Sequence, residues 1–376
     1  MTPRERVLTA LEHREPDRVP VDFWASSETT TSLLRHLGLA SKQELLREFA
    51  VDLRVVEGAS FLGQEMARED GAVFDLWGVP RRPVTVGGEE FEATYLEVTA
   101  PPLAHAASAA EVLAYPHWPS PDWWDYSQVA AQCDACAGYA VVNAGDRKDR
   151  TAQLKPAMYL RGVEQIMLDM AQRPEIVDAI VGRIVDYFLE YDRRVFEAAL
   201  HPDSRGSGSP ERAARGKIDI FMMGDDFGMQ NGLLCSVAMW RRHFREGFRR
   251  YIELAHQYGI KVMHHTCGSV RELIPDFIAC GLDILQSLQP RAAGMDLGEL
   301  KREFGRDLCF HGSVDIQETL PRGTPAMVRD EVRRRMEAGK PGGGFIICTA
   351  HNIQPDTPLD NIIALIEAYR EFGAYG

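Results

Sequence analysis

The chain has 376 residues, a length suited to an elaborated α/β barrel rather than to a small domain. Hydrophobic residues make up 45% of it and charged residues 26%, which excludes a disordered chain and leaves enough apolar side chain for a large core. The formal net charge of -13 leaves no basic face to hold phosphates, so nucleic acid and anionic membrane are excluded as partners.

The N-terminus reads as a helix start, not a signal peptide: Thr2 is the cap, Pro3 takes the first helical position and Glu5 closes a capping box. No apolar run reaches the roughly 20 residues needed to span a bilayer. The seven cysteines, an odd number scattered along a long chain, point to reduced thiols in a cytoplasm. Cys133-x-x-Cys136 has redox spacing, but its surroundings, AAQCDACAG, read as a helix end and no second CxxC accompanies it.

Eight short apolar segments follow in chain order, at 19–24, 53–58, 140–145, 219–226, 261–268, 283–289, 308–315 and 345–351. Helical periodicity fills the later gaps, at 239–258, 269–280, 297–304 and 324–338. This alternation predicts a parallel sheet with crossover helices, and eight such units predict closure into a (β/α)8 TIM barrel, one α/β domain over 1–376. An open doubly wound sheet is the second choice, although no GxGxxG follows any strand. Two stretches depart from the repeat. Residues 61–138 hold a β-prone part at 84–98 and a Trp/Pro-rich part at 117–124, read as a hairpin and a lid-like insertion in the N-terminal half. Residues 201–217, with a Ser-Arg-Gly-Ser-Gly-Ser core, read as a mobile loop.

In such a barrel the active site forms at the C-terminal ends of the strands. The fifth segment ends Met263-His264-His265-Thr266-Cys267-Gly268. Alternation along a strand puts His265 and Cys267 on one side and His264 and Thr266 on the other. An imidazole and a thiolate so placed can grip a borderline-soft cation such as zinc; the plain alternative is a histidine and a cysteine that merely pack. The eighth segment ends Cys348-Thr349-Ala350-His351-Asn352 and opens onto the same mouth, so His351 or Cys348 can supply a third ligand. Three protein ligands with a fourth position open make a catalytic zinc site. His351 could equally be a neutral polar contact to a substrate or loop. The fourth segment ends in Asp225 and Asp226, with Gln230 beyond, and these are the candidate catalytic groups. Such carboxylates can orient a ligand histidine, coordinate metal or accept a proton, while capping a helix is the plain role for one of them. Asn143, Gln286 and Asp315, also at strand ends, are expected to meet the substrate, as are Trp77 and Tyr159.

Several segments together resemble uroporphyrinogen decarboxylase and its relatives: residues 4–11, then Glu15-Pro16-Asp17-Arg18-Val19-Pro20-Val21, Asp75-Leu76-Trp77-Gly78, Arg161-Gly162, residues 224–230, Phe310-His311-Gly312-Ser313-Val314-Asp315, and His351 through Pro358. The decarboxylases proper carry Arg-Gln-Ala-Gly-Arg after the first strand to bind substrate carboxylates. Here that place reads Phe23-Trp24-Ala25-Ser26-Ser27-Glu28, without an arginine. The His265-x-Cys267-Gly268 motif is instead similar to that of the methylcobamide:coenzyme M methyltransferases, in which His, Cys and a later Cys bind zinc. Matching Pro355-x-Thr357-Pro358 without a gap puts that later ligand on His351, with Cys348 nearby as its substitute.

The resemblance implies a zinc-dependent methyltransferase that moves a methyl group between a corrinoid (cobalamin) and a small-molecule donor or thiol acceptor. No Asp-x-His-x-x-Gly stretch is present, so the corrinoid is expected on a separate carrier protein or free. The alternative is a metal-independent decarboxylase or lyase on a non-porphyrin carboxylated substrate, using Asp75 or the Asp225/Asp226 pair. A homodimer is left open. A catalytically silent binding protein fits less well, because scaffolding alone does not need His, Cys and Asp gathered at strand ends.

Overall fold

Seven of the eight apolar segments form one sheet. The computed structural model describes residues 1–63, 72–87, 92–145, 150–200 and 218–375. The sheet order is Leu53–Val56, Ala140–Asn143, Ile220–Gly224, Lys261–His265, Ile284–Leu288, Cys309–Val314 and Phe345–Thr349. Every pairing is parallel, and spatial order follows chain order. Five of these strands are buried at every residue, as strands covered on both faces must be, which is why each opens on consecutive apolar residues.

The segment expected as the first strand, 19–24, has no ladder of its own. Pro20 lacks an N–H, and the Val21 N–H is taken by the Asp52 side chain at 2.8 Å, so pairing shrinks to single bonds. On one side Ile347 donates to Pro20 (2.9 Å) and Asp22 donates to Ile347 (3.0 Å); on the other Asp52 donates to Val21 (2.8 Å). The segment thus spans the gap between the first and last strands and closes the (β/α)8 barrel, with parallel bridges at Val21–Ile347 and Ala25–Ile353.

Helix Pro3–Leu11 plugs the end at which the strands begin. It carries the expected capping box, Thr2 accepting from the Glu5 amide and Glu5 accepting from the Thr2 amide. Val7 and Leu11 pack with Leu53, Ile220, Met263, Ile284, Cys309 and Ile346 in an apolar inner core. Side chains repeat every second residue, so the next inward positions on the last four strands are His265, Gln286, His311 and Cys348. The barrel interior therefore changes from apolar to polar in one step toward the mouth.

The outer helices follow the predicted spans with two breaks. The 239–258 stretch divides at Phe244, which is buried against Phe227, into Val237–His243 and Arg245–Gln257. The 269–280 stretch becomes a short 3-10 turn, Arg271–Leu273, followed by Ile274–Ala279. Within the insertion, Val73–Phe74, Pro80–Gly87 and Glu92–Val98 form an antiparallel sheet that contains the expected hairpin. The Trp-rich part is fastened to helix Pro174–Ala199: Trp124 Nε1 donates to the Tyr187 hydroxyl at 2.9 Å, and Trp77 packs edge-on to Tyr187 at 5.3 Å. The 201–217 loop lies outside the described residues. All seven cysteines are free thiols, with Cys136 capping helix Val129–Ala135. Among the described residues no helix is long and apolar enough to cross a membrane.

Candidate metal centre

Past His265 the chain leaves the sheet and turns at Gly268, whose φ is +79°. A Cβ on Gly268 would sit 2.5 Å from the Gly228 carbonyl carbon, and one on Gly228 would sit 2.7 Å from the Cys267 carbonyl oxygen. Only glycine at both places lets the two turns touch. Ser269 N donates to Met229 O (2.8 Å), Phe227 N to Thr266 Oγ1 (3.1 Å) and Cys267 N to Asp226 Oδ1 (2.9 Å). This clamp fixes the Cys267 backbone although no strand hydrogen bonds reach it.

The clamp leaves Cys267 Sγ 3.6 Å from His265 Nε2, and one ligand atom from each of His265, Cys267 and His351 lies within 4.8 Å of the others. His265 Nδ1 is bonded to Gln286 Oε1, an acceptor, so Nδ1 carries the proton and the Nε2 lone pair is free on the side of the sulfur. Trp24 stacks on His351 at 5.0 Å and meets His265 edge-on at 5.5 Å, walling one flank. Ser287 sits at φ +79° where the register shifts between Gln286 and Leu288, a conformation that costs a residue with a side chain about 1–3 kcal/mol. It donates to Ala350 O at 2.6 Å and lies 3.7 Å from Cys267 Sγ, tying the strand before Cys267 to the one before His351.

Burial sets the charge states. It pushes the His265 imidazole down to about 4 and that of His351 below its ordinary value, so both are neutral near pH 7, the form that binds metal. Burial, with the Asp226 charge adding to it, pushes the Cys267 thiol up to about 12. For Asp226 burial acts upward, but His265, the Cys267 amide and Lys155 outweigh it and hold the carboxyl below its usual range. That carboxylate lies 3.7 Å from His265 Nε2 and 3.6 Å from Lys155 Nζ. Two neutral imidazoles and one thiol, with an anion beside them, are the donor chemistry that suits zinc.

The other expected site residues are placed differently from one another. Asp225 is buried, and its carboxylate accepts from the amides of Gln153 (2.5 Å), Leu154 (2.9 Å) and Lys155 (2.8 Å), so it caps helix Leu154–Arg161, which follows the neighbouring strand. Burial still pushes it up to about 6 against those three donors. Gln230 Nε2 donates to Arg291 O at 2.6 Å. Trp77 is only 5% exposed, inside the aromatic cluster that fastens the insertion, and Tyr159 lies under the Arg81 guanidinium at 4.3 Å. Asn143 is buried at its strand end, and Asp315 caps the following turn through the Gln317, Glu318 and Thr319 amides. Asp75 accepts from the Trp77 and Val79 amides and pairs with Arg81. Cys348 groups with Asp22 and His311 instead of with His265 and Cys267. Trp24, Ser287, Arg150 and Lys155 were not read from the sequence. Trp24 was legible, since it ends the closing segment and strand ends hold the site. Arg150, whose guanidinium lies 5.9 Å from the Trp24 ring, comes from a loop without periodic signal.

A parallel α/β barrel whose mouth gathers two imidazoles and a thiol at ligating distance defines the class: a barrel protein with a candidate metal centre. Residues 217–372 match the family model described as uroporphyrinogen decarboxylase (URO-D). The chain is similar to the methylated-thiol–coenzyme M methyltransferase of Methanosarcina mazei, with 23% identity over 221 residues, 59% of this chain and 52% of the relative. It is similar also to the methylcobamide:CoM methyltransferase MtaA of Methanosarcina barkeri, 30% identical over 29% of this chain and 30% of the relative. The matches thus span about half or less of those relatives' lengths. A solved methyltransferase from Methanosarcina mazei shares the fold over 99% of both chains, with a TM-score of 0.65 and 16% identity.

Proposed function

We propose that the protein is a cytoplasmic zinc-dependent methyltransferase that moves a methyl group between a corrinoid, free or on a carrier protein, and a small-molecule donor or thiol acceptor. The observation that carries this reading is the convergence of His265, Cys267 and His351 from two distant strand ends. Of the two candidates for the third ligand, His351 is preferred, because Cys348 groups elsewhere. Zinc in that donor set supplies Lewis acidity, which lowers the pKa of a thiol brought to it.

The remaining residues prepare the place. Gln286 holds the His265 tautomer, Asp226 holds the Cys267 amide, and Trp24 keeps water from the flank of both imidazoles. Decarboxylation of a porphyrinogen is disfavoured by charge. Burying its carboxylates without enough cations costs several kcal/mol each; the first loop offers Glu28 and hydroxyls, Arg18 is bound to Asp52 at the opposite end, and Arg150 and Lys155 at the mouth are two cations against a polyanion.

Metal analysis of protein purified without added zinc or chelator is the deciding test. His265→Ala, Cys267→Ala and His351→Ala should each remove one zinc equivalent, while Cys348→Ser should leave the zinc of this site in place. Methylcob(III)alamin and a thiol should then give zinc-dependent demethylation, and uroporphyrinogen should give no coproporphyrinogen. Full zinc content in Cys267→Ala, or efficient coproporphyrinogen formation, would overturn the proposal.

A further inference from the structure

One strand further round the barrel from Gln286, a second set of donors converges. Asp22 comes from the closing segment, His311 from Cys309–Val314 and Cys348 from Phe345–Thr349. One oxygen, one nitrogen and one sulfur from the three lie within 4.8 Å of one another, the same closeness as in the mouth cluster. No residue is shared between the two sets. Register places His311 level with Gln286, and Gln286 level with His265, so the second set lies inside the same wall but beyond the reach of the first.

The protein satisfies the Asp22 carboxylate, which also accepts from the Phe23 amide at 2.8 Å, but leaves the imidazole and the thiol short of partners. His311 is 1% exposed; its Nε2 meets Asp22 Oδ2 at 2.9 Å, while Nδ1 is buried without a hydrogen-bond partner. Cys348 is also 1% exposed, and its sulfur has the Thr349 hydroxyl at 3.9 Å as its polar neighbour. A buried ring nitrogen left unpaired carries a desolvation cost. A divalent cation among the three donors would take the place of the proton that now joins His311 Nε2 to Asp22. An ionised Asp22 and a Cys348 thiolate cancel its two charges, so the filled site is neutral and tolerates the interior, and His311 contributes a lone pair. Oxygen, nitrogen and sulfur donors in one set suit a borderline cation such as zinc rather than calcium or magnesium.

We propose that Asp22, His311 and Cys348 form a second divalent-cation site, separate from the one at the mouth. On binding, the Cys348 thiol proton leaves to solvent, and no oxidant or reductant is involved. Bound there, the cation pins the closing segment to the last two strands, and so ties barrel closure to metal content.

Cobalt(II) is the probe, because a thiolate ligand gives it a near-ultraviolet charge-transfer band. The intact metal-stripped protein should take up two cobalt ions per chain. Cys267→Ala should keep one ion and a thiolate band, and adding Cys348→Ser should abolish both. His311→Gln, which preserves a polar contact to Asp22, should lose the same equivalent, and circular dichroism and melting of each variant check that it is folded. The proposal is overturned if folded Cys267→Ala takes up no cobalt, or if its cobalt and band survive Cys348→Ser. If the parent binds a single ion that Cys348→Ser removes and Cys267→Ala does not, the mouth site fails and this one stands.

Discussion

The two ends of the barrel are both rich in polar side chains, and they use them in opposite ways. At the end plugged by helix Pro3–Leu11, the buried carboxylates Asp52 and Asp219 are fully matched. Asp52 is fully buried and accepts from Arg6 Nη1 (2.7 Å), Arg18 Nη1 (2.7 Å) and the Val21 amide (2.8 Å). Asp219 takes both Nε and Nη2 of Arg4 and the Val141 amide. At the mouth the sulfur is 3.6 Å from the nearest imidazole nitrogen, the carboxylate of Asp226 is 3.7 Å from that same nitrogen, and His351 has a ring stacked on it. Saturated charge holds a fold together. A cluster of good donors kept at longer distances has room for something that is not protein, which is the division of labour expected between the two faces of such a barrel.

Three substitutions sharpen or break that contrast, beyond the metal tests above. The largest effect belongs to the plugged end. Asp52→Ala strands Arg6 and Arg18 without their shared carboxylate, and denaturant unfolding should show a loss of about 3–5 kcal/mol, with the folded fraction keeping its zinc. A loss below about 1 kcal/mol would mean that the arginines find water instead, as exposed ion pairs do. Next comes Gln286→Ala, which removes the acceptor that orients His265. Zinc affinity should fall about 10–100-fold with little change in stability, and an unchanged affinity in a competition titration would show that the ring needs no such support. The smallest effect is at Asp225. Asp225→Asn weakens the cap on helix Leu154–Arg161 and should lower stability by about 1 kcal/mol while zinc stays bound. If zinc is lost and stability is not, Asp225 belongs with the chemistry after all.

Much of the architecture was legible because it is written in local periodicity. The helix start at Thr2–Glu5 depends on residues within one turn, so the capping box could be read and was found. The parallel strands could be read because most of them are buried on both faces and so open on apolar residues at consecutive positions. The 19–24 segment was legible as apolar but not as a bridged closure, because the Val21 amide is captured by Asp52, a partner remote in sequence. Alternation predicts His265 and Cys267 on one side of a strand, but the strand ends at His265 and it is the clamp at Gly228 and Gly268 that brings Cys267 beside it.

What the sequence by itself determined, then, was where each strand lies and which way side chains point along it. The tertiary structure alone decided which strand ends meet. Asp225 and Asp226 are adjacent and chemically identical, yet one caps a helix and the other faces the candidate metal centre, because the amides of residues 153–155 arrive beside only one of them. Cys348 and His351 are three residues apart and could both bind metal, but the strand ends at Thr349, and past that point period-two alternation no longer fixes direction. The turn beyond it carries His351 to Trp24 and His265, while Cys348 stays on the inward face with His311 and Asp22. Local pattern records the direction of a side chain; barrel closure and strand register, which depend on contacts across the whole chain, determine what it meets.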